Sequence, residues 1–271
     1  MRTQPHPFTS TVIRFAVVLC LGTMLITPAA KSQTNISDPY RFWKWPVQDA
    51  AAIVKGIASD EAFVALGGGA VLLLTARHDA EITADLSNFD HGSADLLVRV
   101  VEEIGNVKSI RPLAGVIFLG SLMTDDDYFQ DAAFTSLEAV VMANILTSGL
   151  KSAFGRARPF QNQGALEFSP FSGNTSFPSG HSTTAFAFIT PWLLYYPNAF
   201  TPGLLVLGAG TAFTRLLTDN HWFTDIVAGS AIGFATAYVL TNRHRGDNQR
   251  VMVAPSLGLE HVGVTVAVRM P

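Results

Sequence analysis

The sequence predicts a helical domain followed by a short β tail, and three observations carry that prediction. Between Ala62 and Thr241 the apolar residues gather into successive segments with helical length or spacing. A chain of 271 residues that is 48% hydrophobic and 14% charged has ample material for one sizeable core, so one domain is expected. Near the end, Val262, Val264, Val266 and Val268 alternate with Gly263, Thr265, Ala267 and Arg269, which is the period of a strand.

The chain opens with Arg2 and Arg14, an apolar run from Phe15 to Ile26, and then Pro28-Ala29-Ala30-Lys31-Ser32. Small residues after a short apolar run read as a secretory signal, residues 1–30, cleaved after Ala30. An uncleaved anchor is the alternative, although the run is short for a span of about 20 residues. Cleavage would remove two arginines, taking the formal charge from −3 to −5. It would also remove Cys20, the only cysteine, and with it any disulfide or thiol chemistry. Residues 31–61 form a lead-in with Trp43, Trp45 and Pro46 in a polar setting, where one amphipathic helix is expected.

The domain proper is expected over residues 62–245. Ala62 to Ala76 reads as an apolar helix whose Gly67-Gly68-Gly69 admits a close neighbour. Ala84 to Val107, with Leu96, Leu97, Val100, Val101 and Ile104 at helical spacing, reads as a helix with one face on the core. Pro112 to Met123 and Ala132 to Leu150 read as two more, separated by the acidic run Asp125-Asp126-Asp127. That run suits a solvated loop and the start of the next helix, or a calcium site. Thr183 to Tyr195, Gly203 to Leu217 and Ile226 to Thr241 complete the helices, the last packed closely through Gly229 and Gly233. Residues 246–271 are the β tail, a hairpin pairing the valine run with Val251 to Val253.

Composition excludes some functions. A net charge of −3 and a single short basic patch, Asn242-Arg-His-Arg245, argue against nucleic acid as a partner.

The polar residues that point to chemistry lie in three clusters between Lys151 and Asp225. In the first, Lys151 and Arg158 are seven residues apart, within about 20° of one helix face if the helix persists. Pro159 disfavours helix at Arg158, so the helix is expected to end there. Both cations could face one anion, or simply complement a helix C-terminus. In the second, Pro178-Ser179-Gly180-His181 precedes an apolar run, so Ser179 is a natural N-cap and Gly180 allows close approach. Such a start suits an anion, with His181 placed to give a proton to a leaving oxygen. A capping serine beside an incidental histidine is the plainer reading.

In the third, Arg215 and His221 would diverge by about 120° on one helix, so a break is expected at Thr218-Asp219-Asn220. His221 and Asp225 then stand i and i+4 on the next helix, where Asp225 can hold one imidazole nitrogen and leave the other free to attack. A structural hydrogen bond would look the same.

The order Lys151-x6-Arg158-Pro159, Pro178-Ser179-Gly180-His181, Arg215-x5-His221-x3-Asp225 resembles the three-part pattern of the type 2 phosphatidic acid phosphatase (PAP2) superfamily, which includes vanadium haloperoxidases. Thr214 departs from the serine usual before that arginine. The resemblance implies an all-α bundle of about six core helices. It also implies that Lys151, Arg158 and Arg215 bind phosphate oxygens, with hydrogen bonds from Ser179 and the Gly180 amide. His221 would form a phosphohistidine, Asp225 would orient it, and His181 would protonate the leaving group. No metal or other cofactor is implied, vanadate entering only if the chain is a haloperoxidase. The sequence itself offers no Cys/His cluster or convincing carboxylate cage.

The expected activity is therefore hydrolysis of a phosphate monoester. Lipid phosphate, isoprenoid pyrophosphate and a small soluble ester remain open, as do a haloperoxidase and a catalytically silent bundle. Overall hydropathy is positive, yet no segment offers about 18 uninterrupted apolar residues. If Ala62 to Ala76, Pro112 to Met123 and Ala132 to Leu150 all spanned from outside, Lys151 would emerge inside. The expectation is thus an exported bundle, in the periplasm or at the outer face of the inner membrane, with an integral membrane bundle as the alternative.

Overall fold

A computed structural model describes residues 38–56, 75–87, 95–197, 201–245, 251–257 and 262–268. The expected signal, residues 1–30, and the Gly67-Gly68-Gly69 segment lie outside the described residues. Eight α-helices are described: α1 Arg41–Gly56, α2 Asp79–Ser87, α3 Asp95–Ile104, α4 Val107–Ser121, α5 Asp127–Phe154, α6 Gly180–Tyr195, α7 Thr201–Leu217 and α8 Phe223–His244. Two strands follow, β1 Val251–Leu257 and β2 Val262–Val268, antiparallel with Val253 opposite Val266.

Two helices start earlier than their apolar patterns suggest, because polar caps lie upstream of the apolar residues. Asn106 caps α4, its side chain accepting from Lys108 N at 2.9 Å, so Pro112 falls inside the helix rather than at its start. Asp126 caps α5, accepting from Phe129 N at 3.0 Å, and Asp127 bonds Arg41 at 2.8 Å. The acidic run is thus a helix start and an anchor for α1.

No residue of α6 is exposed, as expected of a helix without a polar face. Ala139, Val140 and Ala143 of α5 meet Ala187 of α6 and Ala237 and Leu240 of α8 on one side. Phe186, Ile189 and Leu193 of α6 meet Ala212 and Leu216 of α7 and Ile226 of α8 on the other. Leu240 is fully buried, and truncating such a leucine to alanine costs roughly 2–5 kcal/mol. α8 crosses α6 so tightly that a Cβ on Gly229 would lie 2.3 Å from the Ser179 carbonyl oxygen. The Ser179 amide donates to the Asp225 carbonyl at 2.9 Å, so the starts of α6 and α8 are held together.

The outer surface is apolar, with Leu113, Val116, Leu119, Val141, Ile145, Val206 and Val239 exposed. α5, at 28 residues, and α8, at 22, are long and apolar enough to cross a membrane, with 50% of the most apolar window buried in each. This corrects the sequence reading of short segments, because both helices extend beyond their uninterrupted apolar cores. Surface of this kind fits membrane association.

Candidate active site

The three clusters meet at one end of the bundle, where α5 and α7 finish and α6 and α8 begin. Lys151 lies in the last turn of α5 and its side chain passes Gly180, where an added Cβ would sit 3.7 Å from Lys151 Cε. Its Nζ donates to the Thr175 carbonyl.

The helix does not persist to Arg158. It ends at Phe154, with Gly155 in the left-handed region at φ 54° and its Cα hydrogen facing the Ser169 carbonyl, 1.8 Å from where a Cβ would stand. The shared helix face expected for Lys151 and Arg158 is therefore replaced by a different route to the same place. Residues 156–158 lie outside the helix, with Arg156 bridged to Phe168; the Arg156 guanidinium goes to Asp79 and Asp225, whereas Arg158 goes to Thr175. Arg158 Nη2 reaches Thr175 Oγ1 at 3.3 Å, beside the Lys151 contact.

Ser179 caps α6, its hydroxyl accepting from Ser182 N at 3.4 Å and from the Ser182 hydroxyl at 3.1 Å. The amides of Gly180 and His181, in the first turn, have no acceptor within the helix and carry the positive end of its dipole. Burial, together with the charges of Arg215, His221, Arg158 and Lys151 around it, pushes His181 down to about 3. Those four groups therefore surround His181 without sharing its helix.

α7 ends at Leu217, and Asp219, at φ 50°, helps turn the chain before His221, so the expected break is present. Arg215 is 5% exposed; Nη2 donates to Glu102 Oε1 at 2.6 Å, while Nε is buried without a hydrogen-bond partner. Thr214 donates its hydroxyl to the Thr211 carbonyl at 2.9 Å, within α7. His221 is 2% exposed and its Nδ1 lies 3.4 Å from Asp225 Oδ2. Burial lowers the His221 titration more than Asp225 raises it, so the imidazole is neutral at neutral pH. A neutral ring with Nδ1–H directed at a carboxylate leaves the Nε2 lone pair free.

The sequence reading missed the groups that hold Asp225. Arg156, fully buried, donates from Nη1 to Asp225 Oδ1 at 2.6 Å and to Thr224 Oγ1 at 2.8 Å, and from Nη2 to Asp79 Oδ2 at 2.7 Å. Asp225 Oδ2 also accepts from Trp222 N at 2.9 Å and from the Ser176 hydroxyl. Asp79, on α2, accepts from Thr224 N at 3.0 Å, and burial raises its titration against the pull of Arg156. A signal for Arg156 did exist: it alternates with Arg158 across Ala157 in one basic run. For Asp79 and Glu102 there was none.

Together these residues can hold a tetrahedral oxyanion between three cations and a helix start, with a neutral imidazole on one side and a second beside the cations. Among the described residues, no group of three metal-ligating side chains lies in this pocket.

The PAP2 superfamily model matches residues 132–248, which hold all three clusters; the match gives the C-terminal strands no support. A lipid A 1-phosphatase of Rhizobium johnstonii is 39% identical over 99 residues, covering 35% of this chain and 40% of the relative. A lipid A 4'-phosphatase of Helicobacter pylori is 25% identical over 167 residues, 60% of this chain and 80% of the relative. The chain thus spans about two fifths of the length of the Rhizobium relative. Among solved structures, a transmembrane PAP2-type phosphatidylglycerolphosphate phosphatase from Bacillus subtilis superposes with a TM-score of 0.51 at 18% identity, covering 78% of this chain and 97% of that one. That likeness concerns the helical fold. Residues 132–248 thus match the PAP2 superfamily model, and the superposition shows a helical fold like that of the Bacillus subtilis structure.

Proposed function

We propose that the chain is a membrane-associated phosphatase that releases phosphate from a lipid phosphate monoester by way of a phosphohistidine at His221. One observation carries the reading: a buried, neutral His221 held by Asp225, at the mouth shared by Lys151, Arg158 and Arg215. In the first step His221 Nε2 forms a bond to phosphorus as the phosphorus–oxygen bond to the lipid breaks, and His181, in its protonated form, gives its proton to the departing oxygen. In the second, His181 takes a proton from water, whose oxygen bonds phosphorus while the nitrogen–phosphorus bond breaks. The three cations neutralise charge on the phosphoryl oxygens throughout. Burial and the cationic surroundings keep His181 unprotonated in the free site, and a bound phosphate dianion offsets the cations.

Lipid substrates are favoured by the apolar outer surface and by the names of the relatives, which act on lipid A and phosphatidylglycerolphosphate. Export, with cleavage after Ala30, belongs to the same proposal and puts the site on the outer face of the membrane. The test is phosphate release by the detergent-solubilised full chain from phosphatidic acid, phosphatidylglycerolphosphate, lipid A and a soluble aryl phosphate, with and without vanadate. Hydrolysis of at least one lipid ester, inhibited competitively by vanadate, is expected. Rapid bromide oxidation by the vanadate-loaded protein with peroxide, and negligible hydrolysis of every ester, would establish the haloperoxidase alternative instead.

A further inference from the structure

A second polar cluster lies at the other end of the bundle, where α1 packs on α5 and α8. Asp49, Glu138 and His244 are 1%, 5% and 6% exposed, and one donor atom from each lies within 4.8 Å of the others. His244 Nε2 is 2.7 Å from Asp49 Oδ2 and 3.5 Å from Glu138 Oε2. Glu138 has no hydrogen-bond partner for either carboxylate oxygen, although both are buried. An unpartnered buried carboxylate is costly unless a cation or a proton satisfies it.

The tautomer of His244 sharpens the point. His244 Nδ1 lies 2.7 Å from Thr135 Oγ1, which can accept from it while giving its own hydrogen to the Asp131 carbonyl at 2.6 Å. A metal ion would select the Nδ1–H tautomer, in which the Nε2 lone pair faces two carboxylates; without one, the 2.7 Å contact between Nε2 and Asp49 Oδ2 holds a hydrogen between them. The Nδ1–H form is the outer-sphere arrangement that prepares a histidine for a metal: one ring nitrogen donates to a protein oxygen and the other is left free. Trp45, stacked on the ring at 3.9 Å between centroids, fixes its plane. Arg243 bonds Asp49 through Oδ1, the oxygen away from His244, and leaves Oδ2 available.

We propose that Asp49, Glu138 and His244 bind one divalent transition-metal ion of the zinc class, which ties α1 to α5 and α8. One imidazole and two carboxylates suit such an ion in kind and charge. Bonds of about 2.0–2.1 Å in a tetrahedron set donors about 3.3 Å apart. The donors here, at 2.7 and 3.5 Å from Nε2 and within 4.8 Å overall, reach that spacing by shifts of about an ångström. The role is structural. Glu138 and Lys151 stand thirteen positions apart on one helix, about 20 Å at 1.5 Å per residue, so the ion stands far from the phosphate. Asp49 also lies outside the residues matched to the family, 132–248, so the site depends on the N-terminal helix of this chain.

The test uses untagged full-length protein in detergent, stripped with a chelator and reloaded with Zn²⁺ alone. Elemental analysis should find about one zinc per chain, and the unfolding midpoint should fall on chelation and recover with Zn²⁺. Glu138→Gln and His244→Gln should each lower zinc affinity at least about 100-fold, while His221→Ala retains it, which separates this site from the phosphatase site. The wild-type measurements need no variant to fold. Zinc below about 0.1 per chain with a midpoint indifferent to chelator and Zn²⁺ would show that a proton, not a metal, satisfies Glu138. Unchanged binding in both variants would also overturn the assignment.

Discussion

Replacing Arg156 by methionine tests whether the candidate site rests on a buried charge network. The substitution keeps most of the side-chain volume but removes the guanidinium hydrogen bonds to Asp79, Asp225, Thr224 and the Ala165 carbonyl. Two carboxylates, both fully buried, then face each other's surroundings without their shared cation. Breaking a buried ion pair by removing one partner costs roughly 3–5 kcal/mol, because the remaining charge is uncompensated. At about 2–4 °C per kcal/mol for a domain of this size, the unfolding midpoint should fall by about 6–20 °C. Activity should fall too, measured below the new midpoint, since Asp225 loses its ion-pair partner and with it the hold that orients His221. Adding Asp79→Asn should recover part of the stability but not the activity, because Asp225 still lacks its cation. A midpoint within about 1 °C of wild type in the single variant, with turnover retained, would refute the reasoning.

Three further outcomes are expected. His221→Ala should abolish turnover on every ester, whereas His181→Ala should slow an alkyl phosphate by about 100-fold or more and an activated aryl phosphate much less; equal losses would count against the acid role. Glu102→Gln frees Arg215 from its carboxylate partner, so inorganic phosphate and vanadate should inhibit several-fold more tightly, and an unchanged inhibition constant would show that Glu102 does not compete. The unfolded imidazole of His181 titrates near 6.5 and the folded one at about 3, so the unfolded chain gains a proton that the folded chain refuses. Its contribution to stability should therefore be lost as pH falls from about 6.5 toward 3, and His181→Gln should reduce the acid-side loss seen in denaturant titrations, whereas an identical profile would contradict the shift.

Much of the site was legible because its residues come in short runs. Ser179 declares a helix start, and His221 and Asp225 stand one helical turn apart. The break between Arg215 and His221 followed from helix geometry alone. Other parts were hidden for physical reasons. Lys151 and Arg158 converge through a glycine turn and a non-helical segment, a path that depends on Gly155 meeting Ser169. Asp79 and Asp225 share Arg156 across 146 positions of sequence, and Asp49, Glu138 and His244 are separated by 89 and 106, so no local spacing announces either cluster. Helix starts were misplaced where the cap, Asn106 or Asp126, precedes the first apolar residue by several positions.

The central claim is that phosphorus becomes bonded to His221. Radiolabelled lipid phosphate mixed with enzyme and quenched in alkali within the first turnover should leave label on the protein, stable to base and released by acid. Digestion should place it on the peptide containing His221, with His181→Ala retaining some label from an activated ester and His221→Ala none. Steady hydrolysis with no acid-labile label on the wild-type chain, or label that survives in His221→Ala, would contradict the account.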